Sequence, residues 1–227
     1  MRLGILGGTL DPIHLGHVET ARVARAVLEL DRVLVMPAHI PPHRATRPVA
    51  SGHHRFAMAA LAVNGLEGLE VSDLELERAA PSYTSDTLMR IRAATGLGAT
   101  QIFFITGADA FAEIATWHRY PEVLELSNFA VVSRPGYGVD RLRASLPALA
   151  PRMTAASAAG AAAGRPVILL IDAATPDVSS TDIRRRLNAG ESVAGLLPPA
   201  VASHIGRHGL YTGTSILPAA DHLHGKN

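Results

Sequence analysis

Apolar residues recur along this chain in two alternating rhythms. Leu3-Gly4-Ile5-Leu6, Val33-Leu34-Val35-Met36, Ile102-Phe103-Phe104-Ile105, Phe129-Ala130-Val131-Val132 and Val167-Ile168-Leu169-Leu170-Ile171 are short, nearly unbroken hydrophobic runs, as expected of strands buried on both faces. Glu19 to Leu30 instead carries Ala, Val and Leu at helical spacing, with Arg22, Arg25 and Glu29 between them. Further helices are predicted from a Ser51 cap through Ala62, stopped by Asn64-Gly65; over Asp86 to Ala94, capped by Thr84 or Ser85; over Pro121 to Ser127; after Ser179; and from Leu197-Pro198-Pro199 through His208. Leu69 to Ser72 reads as a short strand. Strand alternating with helix predicts the α/β class: a Rossmann-like, doubly wound parallel sheet of five or six strands with helices on both faces. One nucleotide-handling domain over residues 1–212 accounts for the pattern. Residues 154–165 have too few bulky apolar groups to specify a packed element and read as a mobile loop, and residues 213–227 as a loose tail.

Composition narrows the partners. The formal net charge is +1, from 21 basic and 20 acidic residues, so no global field draws in nucleic acid or an anionic membrane, and any anion site must be local. No cysteine is present, which removes disulfides and thiolate metal sites and fits a cytoplasmic protein. No stretch approaches the ~18 apolar residues of a membrane span. A homo-oligomer is compatible with all of this.

The candidate chemistry concentrates where strands end. Gly7-Gly8-Thr9-Leu10-Asp11-Pro12-Ile13-His14-Leu15-Gly16-His17 follows the first strand. Its glycines permit positive φ and close backbone approach to an anion, and Pro12 suits a helix start. His14 and His17, three apart on the first turn, share a face beside the positive end of the helix dipole. Two such histidines are also compatible with half of a metal site or with an inert surface. Ala38-His39-Ile40-Pro41-Pro42-His43-Arg44 follows the second strand and reads equally as a plain connection. Ser82, Tyr83, Thr84 and Thr87 open a helix, where hydroxyl and N–H donors can cap it or converge on a carboxylate. Gly107 and Asp109 follow the third long strand, where a carboxylate can accept from ribose hydroxyls or cap a helix. Trp117, the single tryptophan, and His118 lie in a polar context suited to stacking on a flat ring, although a lone Trp more often belongs to the core. Arg134 lies past the next strand. Ser179, Ser180, Thr181 and Arg184 at a later helix start are compatible with a capping box or an anion site.

Taken together these segments resemble the bacterial nicotinate mononucleotide adenylyltransferases of the H-x-G-H nucleotidyltransferase superfamily. The first loop is similar to G-G-T-F-D-P-I-H-x-G-H, with Leu10 for Phe; residues 37–44 to P-x-x-x-P-P-H-K, with Arg44 for Lys; residues 82–88 to S-Y-T-x-D-T-L; and residues 178–184 to I-S-S-T-x-I-R. G-A-D followed by a Trp is also reproduced. The resemblance runs from Leu3 to about Tyr211 and implies adenylyl transfer from ATP to nicotinate mononucleotide, yielding deamido-NAD and pyrophosphate. It implies catalytic roles for His14, His17, Arg44 and Arg184. ATP would be bound by Gly7, Gly8, Thr9, Gly16, Gly107, Asp109, Arg134, Ser179, Ser180 and Thr181, and the mononucleotide by Ser82, Tyr83, Thr84, Thr87, Trp117 and His118. Mg²⁺ is expected to arrive on the ATP phosphates, because no convergent carboxylate cluster is visible and no residue is assigned as a metal ligand. The alternatives are a relative acting on phosphopantetheine or FMN or transferring a cytidylyl group, against which Trp117 and Ser82 to Thr87 argue, and a non-catalytic nucleotide sensor, which need not keep both histidines.

Overall fold

The computed structural model describes residues 1–41, 48–77, 80–156 and 164–212. Its seven strands are β1 (Leu3–Gly8), β2 (Arg32–Pro37), β3 (Leu69–Val71), β4 (Ile102–Gly107), β5 (Asn128–Val132), β6 (Met153–Ala155) and β7 (Ile168–Ile171). They form one sheet in the order β3-β2-β1-β4-β5-β7-β6, every neighbouring pair parallel. The helices are α1 (Leu15–Leu28), α2 (Gly52–Val63), α3 (Thr84–Thr95), α4 (Ala108–Ala112), α5 (Leu142–Ser145), α6 (Ser180–Asn188) and α7 (Pro199–His208).

Alternation of side chains along the strands divides the core in two. Leu6, Val33, Val35, Phe103 and Ile105 face Ala21, Ala24 and Leu28 of α1, Met58 of α2, Ile183 of α6 and Ile205 of α7. Leu3, Ile5, Phe104, Phe129 and Val131 face Leu88 of α3, Phe111 of α4 and Leu142 of α5. Each such large side chain removed from water contributes about 1.5–3 kcal/mol. Both sheet faces are therefore covered, which explains why the strands read as solid apolar runs rather than alternating ones.

Three expectations are corrected. The sheet has seven strands rather than five or six. The seventh, β6, takes Thr154 and Ala155 out of the segment read as a mobile loop, pairing Thr154 with Leu169 on β7. A half-covered edge strand of three residues needs little apolar bulk, so Met153 alone anchors it to the core. The predicted helix over Pro121 to Ser127 is a single 3₁₀ turn, Glu122–Glu125. The tail at 213–227 lies outside the described residues, as do residues 157–163 of the small-residue segment. Among the described residues no helix is long and apolar enough to cross a membrane.

Candidate active site

The chain runs outward from β1 to β3, then returns to place β4 on the other side of β1. The C-terminal ends of β1 and β4 thus flank the point where strand order reverses, the position at which open α/β sheets bind ligands. A cleft of about 360 Å³ opens there. Gly7, Gly8, Thr9 and His17 form one wall, Ser82, Tyr83, Thr84, Trp117 and His118 another, with Gly107, Asp109 and Arg134 at the β4 and β5 ends.

The first loop differs from its sequence reading in instructive ways. Gly7 and Gly8 are extended and belong to β1; the left-handed residue is Leu10, at φ 51°. Gly7 is needed for space, since a Cβ there would come within 3.2 Å of the Phe104 ring. Pro12 precedes the helix rather than starting it, and α1 begins at Leu15 with His14 as its extended N-cap. His14 therefore stands just outside the first turn and His17 within it, their rings stacked with centroids 3.7 Å apart. The His14 backbone N–H donates to His17 Nδ1 over 3.3 Å, which leaves the proton of a neutral His17 ring on Nε2.

His14 is 1% exposed and does not line the cleft, whereas His17 does. Burial, reinforced by the Arg134 guanidinium, pushes the His14 imidazole down to about 3, so it is neutral at physiological pH. Gly16 serves His14 directly: a Cβ there would sit 3.1 Å from the imidazole and 3.3 Å from the Pro176 carbonyl oxygen. Gly16 packs against His14 and is absent from the cleft wall.

The second constellation stands against the first loop. Ser179 caps α6, accepting from Asp182 N–H over 3.1 Å. Ser180 Oγ donates to the Pro12 carbonyl over 2.9 Å, and Arg184 to the Asp11 carbonyl over 2.6 Å. Arg185 and Arg186 both turn to Asp182. Ser179, Ser180, Thr181 and Arg184 do not line the cleft; two of them clamp the loop that does. Arg134 does line it, and is its only Arg or Lys among the described residues. Gly107 leaves room for it, because a Cβ there would press on Asp109 and on the Arg134 stem. Arg44 lies outside the described residues.

The remaining wall is built by paired loops. His39 N–H donates to Ser82 Oγ over 2.8 Å, and Ser82 N–H to the Ile40 carbonyl over 2.9 Å. Tyr83, not Thr84 or Ser85, is the N-cap of α3, without a side-chain bond. That leaves Ser85 Oγ to pair with His118 Nδ1 at 3.0 Å, while the Tyr83 and His118 rings stack at 4.2 Å. Trp117 stands nearly perpendicular to Phe104, 5.8 Å away, so the core fixes its orientation. Thr87 lies behind the wall and donates to Glu75 over 2.6 Å.

Glu75, Arg55 and Tyr211 escape a sequence reading, as does the part played by Asp11. Glu75 lines the cleft, and burial pushes its carboxyl up toward the neutral form. Arg55, 1% exposed, donates to the carbonyls of Thr9, Ala38, Ala50 and His39. Asp11, also buried, accepts from Val49 N–H, Ala50 N–H and the Tyr211 hydroxyl. Burial and the Asp11 carboxylate keep that hydroxyl protonated. For metal ions, Asp109 and Glu75 are the cleft's only carboxylates among the described residues, too few for an all-protein Mg²⁺ cage.

Residues 5–186 match the model of the cytidylyltransferase-like family. A protein of Desulfatibacillum aliphaticivorans, named a probable nicotinate-nucleotide adenylyltransferase, is 39% identical over 220 residues, covering 93% of this chain and all of the relative. A protein of the same name from Thermus thermophilus is 41% identical over 213 residues, with 93% and 100% covered. Among solved structures, a Plasmodium falciparum nicotinic acid mononucleotide adenylyltransferase complexed with NaAD superposes with a TM-score of 0.71 at 16% identity, over 92% of this chain and 97% of that one, a likeness of fold. With about 40% identity to these relatives over 93% of its length, the chain belongs to the nicotinate-nucleotide adenylyltransferase family.

Proposed function

We propose that the cleft transfers the adenylyl group of ATP to the phosphate of nicotinate mononucleotide, releasing pyrophosphate and forming deamido-NAD. The observation that carries this reading is the union in one cleft of a phosphate wall, Gly7 to Thr9 with His17 and Arg134, and an aromatic, hydroxyl-rich wall, Ser82 to Thr84 with Trp117 and His118. A mononucleotide phosphate oxygen attacks the α-phosphorus; the new P–O bond forms as the bond to the β-phosphate bridge breaks, and pyrophosphate leaves with the electron pair. The attacking phosphate is already anionic, so no general base is required, and the protein's task is alignment and charge stabilisation. His17 donates from Nε2 to the α-phosphate as charge builds, and Arg134 supplies the fixed positive charge. Mg²⁺ enters with ATP as part of the substrate, neutralising the triphosphate.

Selection of the pyridine falls to the second wall. A carboxylate only accepts hydrogen bonds, whereas a carboxamide presents an NH₂ that cannot receive one. The hydroxyls and N–H groups at the α3 N-terminus favour the acid. A donor left facing an NH₂ costs about 1–3 kcal/mol, so two mismatches give roughly 10²- to 10⁴-fold preference. The test is pyrophosphate release from ATP with nicotinate or nicotinamide mononucleotide, in wild type and Trp117→Ala. A stacking Trp contributes affinity without selectivity, so the variant should raise KM for both and leave their kcat/KM ratio nearly unchanged. Equal use of acid and amide by the wild type would refute the carboxylate site.

A further inference from the structure

Away from the cleft, three histidines converge between α2 and α7. His54 stands in the first turn of α2, and His204 and His208 lie one turn apart on α7, so both α7 imidazoles project from one helix face. His54 Nδ1 and His204 Nε2 are 3.1 Å apart. The ring centroids of His54 and His208 are 4.9 Å apart, and those of His204 and His208 4.5 Å. One nitrogen from each ring lies within 4.8 Å of the other two. None of the three lines the cleft.

We propose that His54, His204 and His208 form a binding site for a divalent transition metal of the imidazole-preferring class, with Zn²⁺ as the reference ion. Nitrogens at about 2.0–2.1 Å from a tetrahedral ion lie about 3.3 Å apart, so one pair is already at that spacing and the third imidazole closes by small side-chain rotation. Two imidazole nitrogens at 3.1 Å share a single proton at best, and a metal replaces that bond with two stronger ones. The ligands must be neutral to bind, and burial with mutual proximity pulls His54 and His204 below the ordinary histidine value. His208 is exposed, which leaves an entry path and an open fourth position for water.

The consequence is a clasp on the site's supports. His54 precedes Arg55, which holds the carbonyls of Thr9 and Ala38, and His208 precedes by one turn Tyr211, which holds Asp11. A bound ion ties α2 to α7 at the two points where both elements reach the catalytic loop.

The experiment titrates metal-stripped full-length protein with ZnCl₂ against a chromophoric chelator, and with CoCl₂ while the visible spectrum is followed. Wild type should bind one tight equivalent, give the intense visible bands of tetrahedral Co²⁺, and gain thermal stability with Zn²⁺. His54→Gln and the exposed His208→Gln should each lose that equivalent, weakening Zn²⁺ by at least about 10²-fold, since even outer-shell partners cost 10–100-fold. Both should match the basal adenylyl transfer of metal-stripped wild type, as neither residue touches the cleft. A His222→Gln/His224→Gln variant should bind as wild type does. Equal Zn²⁺ affinity in wild type and His208→Gln, binding only at millimolar concentration, or loss of the tight equivalent with His222 and His224 instead would overturn the assignment.

Discussion

At the residue scale, His14 and His17 divide a task that their spacing makes look shared. His17 lines the cleft with its Nδ1 occupied by the His14 backbone N–H, so its Nε2 proton is oriented before substrate arrives. Preorganised donors of this kind act on the transition state, and His17→Ala should lower kcat by about 10²-fold or more with KM for ATP nearly unchanged. Collapse of ATP affinity with kcat preserved would assign His17 to ground-state binding. His14 supports the ring from beneath as a neutral, buried imidazole held near pKa 3. Its folded pKa lies below the unfolded value of about 6.5, so between those pH values the unfolded chain binds a proton that the folded one does not. Its contribution is therefore complete above pH ~6.5 and lost as pH falls toward 3, at up to about 1.4 kcal/mol per unit. Denaturant titrations of wild type and His14→Gln from pH 7 to 4 should show a shallower decline in the variant; parallel declines would mean that His14 ionises freely in the fold.

At the scale of elements, the catalytic loop is held by segments remote in sequence. Arg55 reaches it from α2, Tyr211 from beyond α7, and Ser180 and Arg184 from α6. Tyr211→Phe leaves the buried Asp11 carboxylate short of a donor and should cost about 1–3 kcal/mol in urea denaturation. Arg184→Ala removes a bond to the Asp11 carbonyl from a more exposed group, so stability should change less. Because that bond clamps the loop, the variant should lower kcat without singling out ATP. An isolated loss of ATP affinity would instead return Arg184 to the triphosphate. These anchors mark the boundary of what a single sequence discloses. Long strands such as Ile102–Gly107 and the Ser51 cap of α2 are local patterns and were legible. The Asp11–Tyr211 bond spans 200 positions and leaves no local trace. Nor does period or composition reveal that Leu10, rather than a glycine, takes the left-handed turn, or that Tyr83 displaces Thr84 as the α3 cap. The α6 serines were legible as a constellation, but which way they face is decided only when α6 meets the first loop.

At the scale of the whole molecule, the two cleft walls belong to opposite sides of the sheet. The glycine loop enters α1, packed on the face that buries Leu6 and Phe103, while Tyr83 and Trp117 border α3 and α4, packed on the face that buries Phe104 and Phe129. The strand ends join them, together with a bridge through residues 38–40: Arg55 holds the carbonyls of Thr9 and His39, and His39 N–H donates to Ser82. A ligand that spans both walls adds a further link between the two layers, whereas ATP alone is expected to engage the β1 and β4 ends. Local opening free energies in such loops lie far below that of global unfolding, so amide exchange reads this difference. Deamido-NAD should slow exchange together in residues 8–17, 82–88 and 107–118, while ATP should protect residues 8–17 and 107–109 and leave 82–88 near their free rates. Strands β3 and β6, three residues each and paired on one side only, should exchange fastest in the sheet under either condition. Equal protection of residues 82–88 by ATP alone would show that the second wall closes on the nucleotide without a pyridine, and would shift the choice of acceptor from Ser82 and Trp117 to loop closure itself.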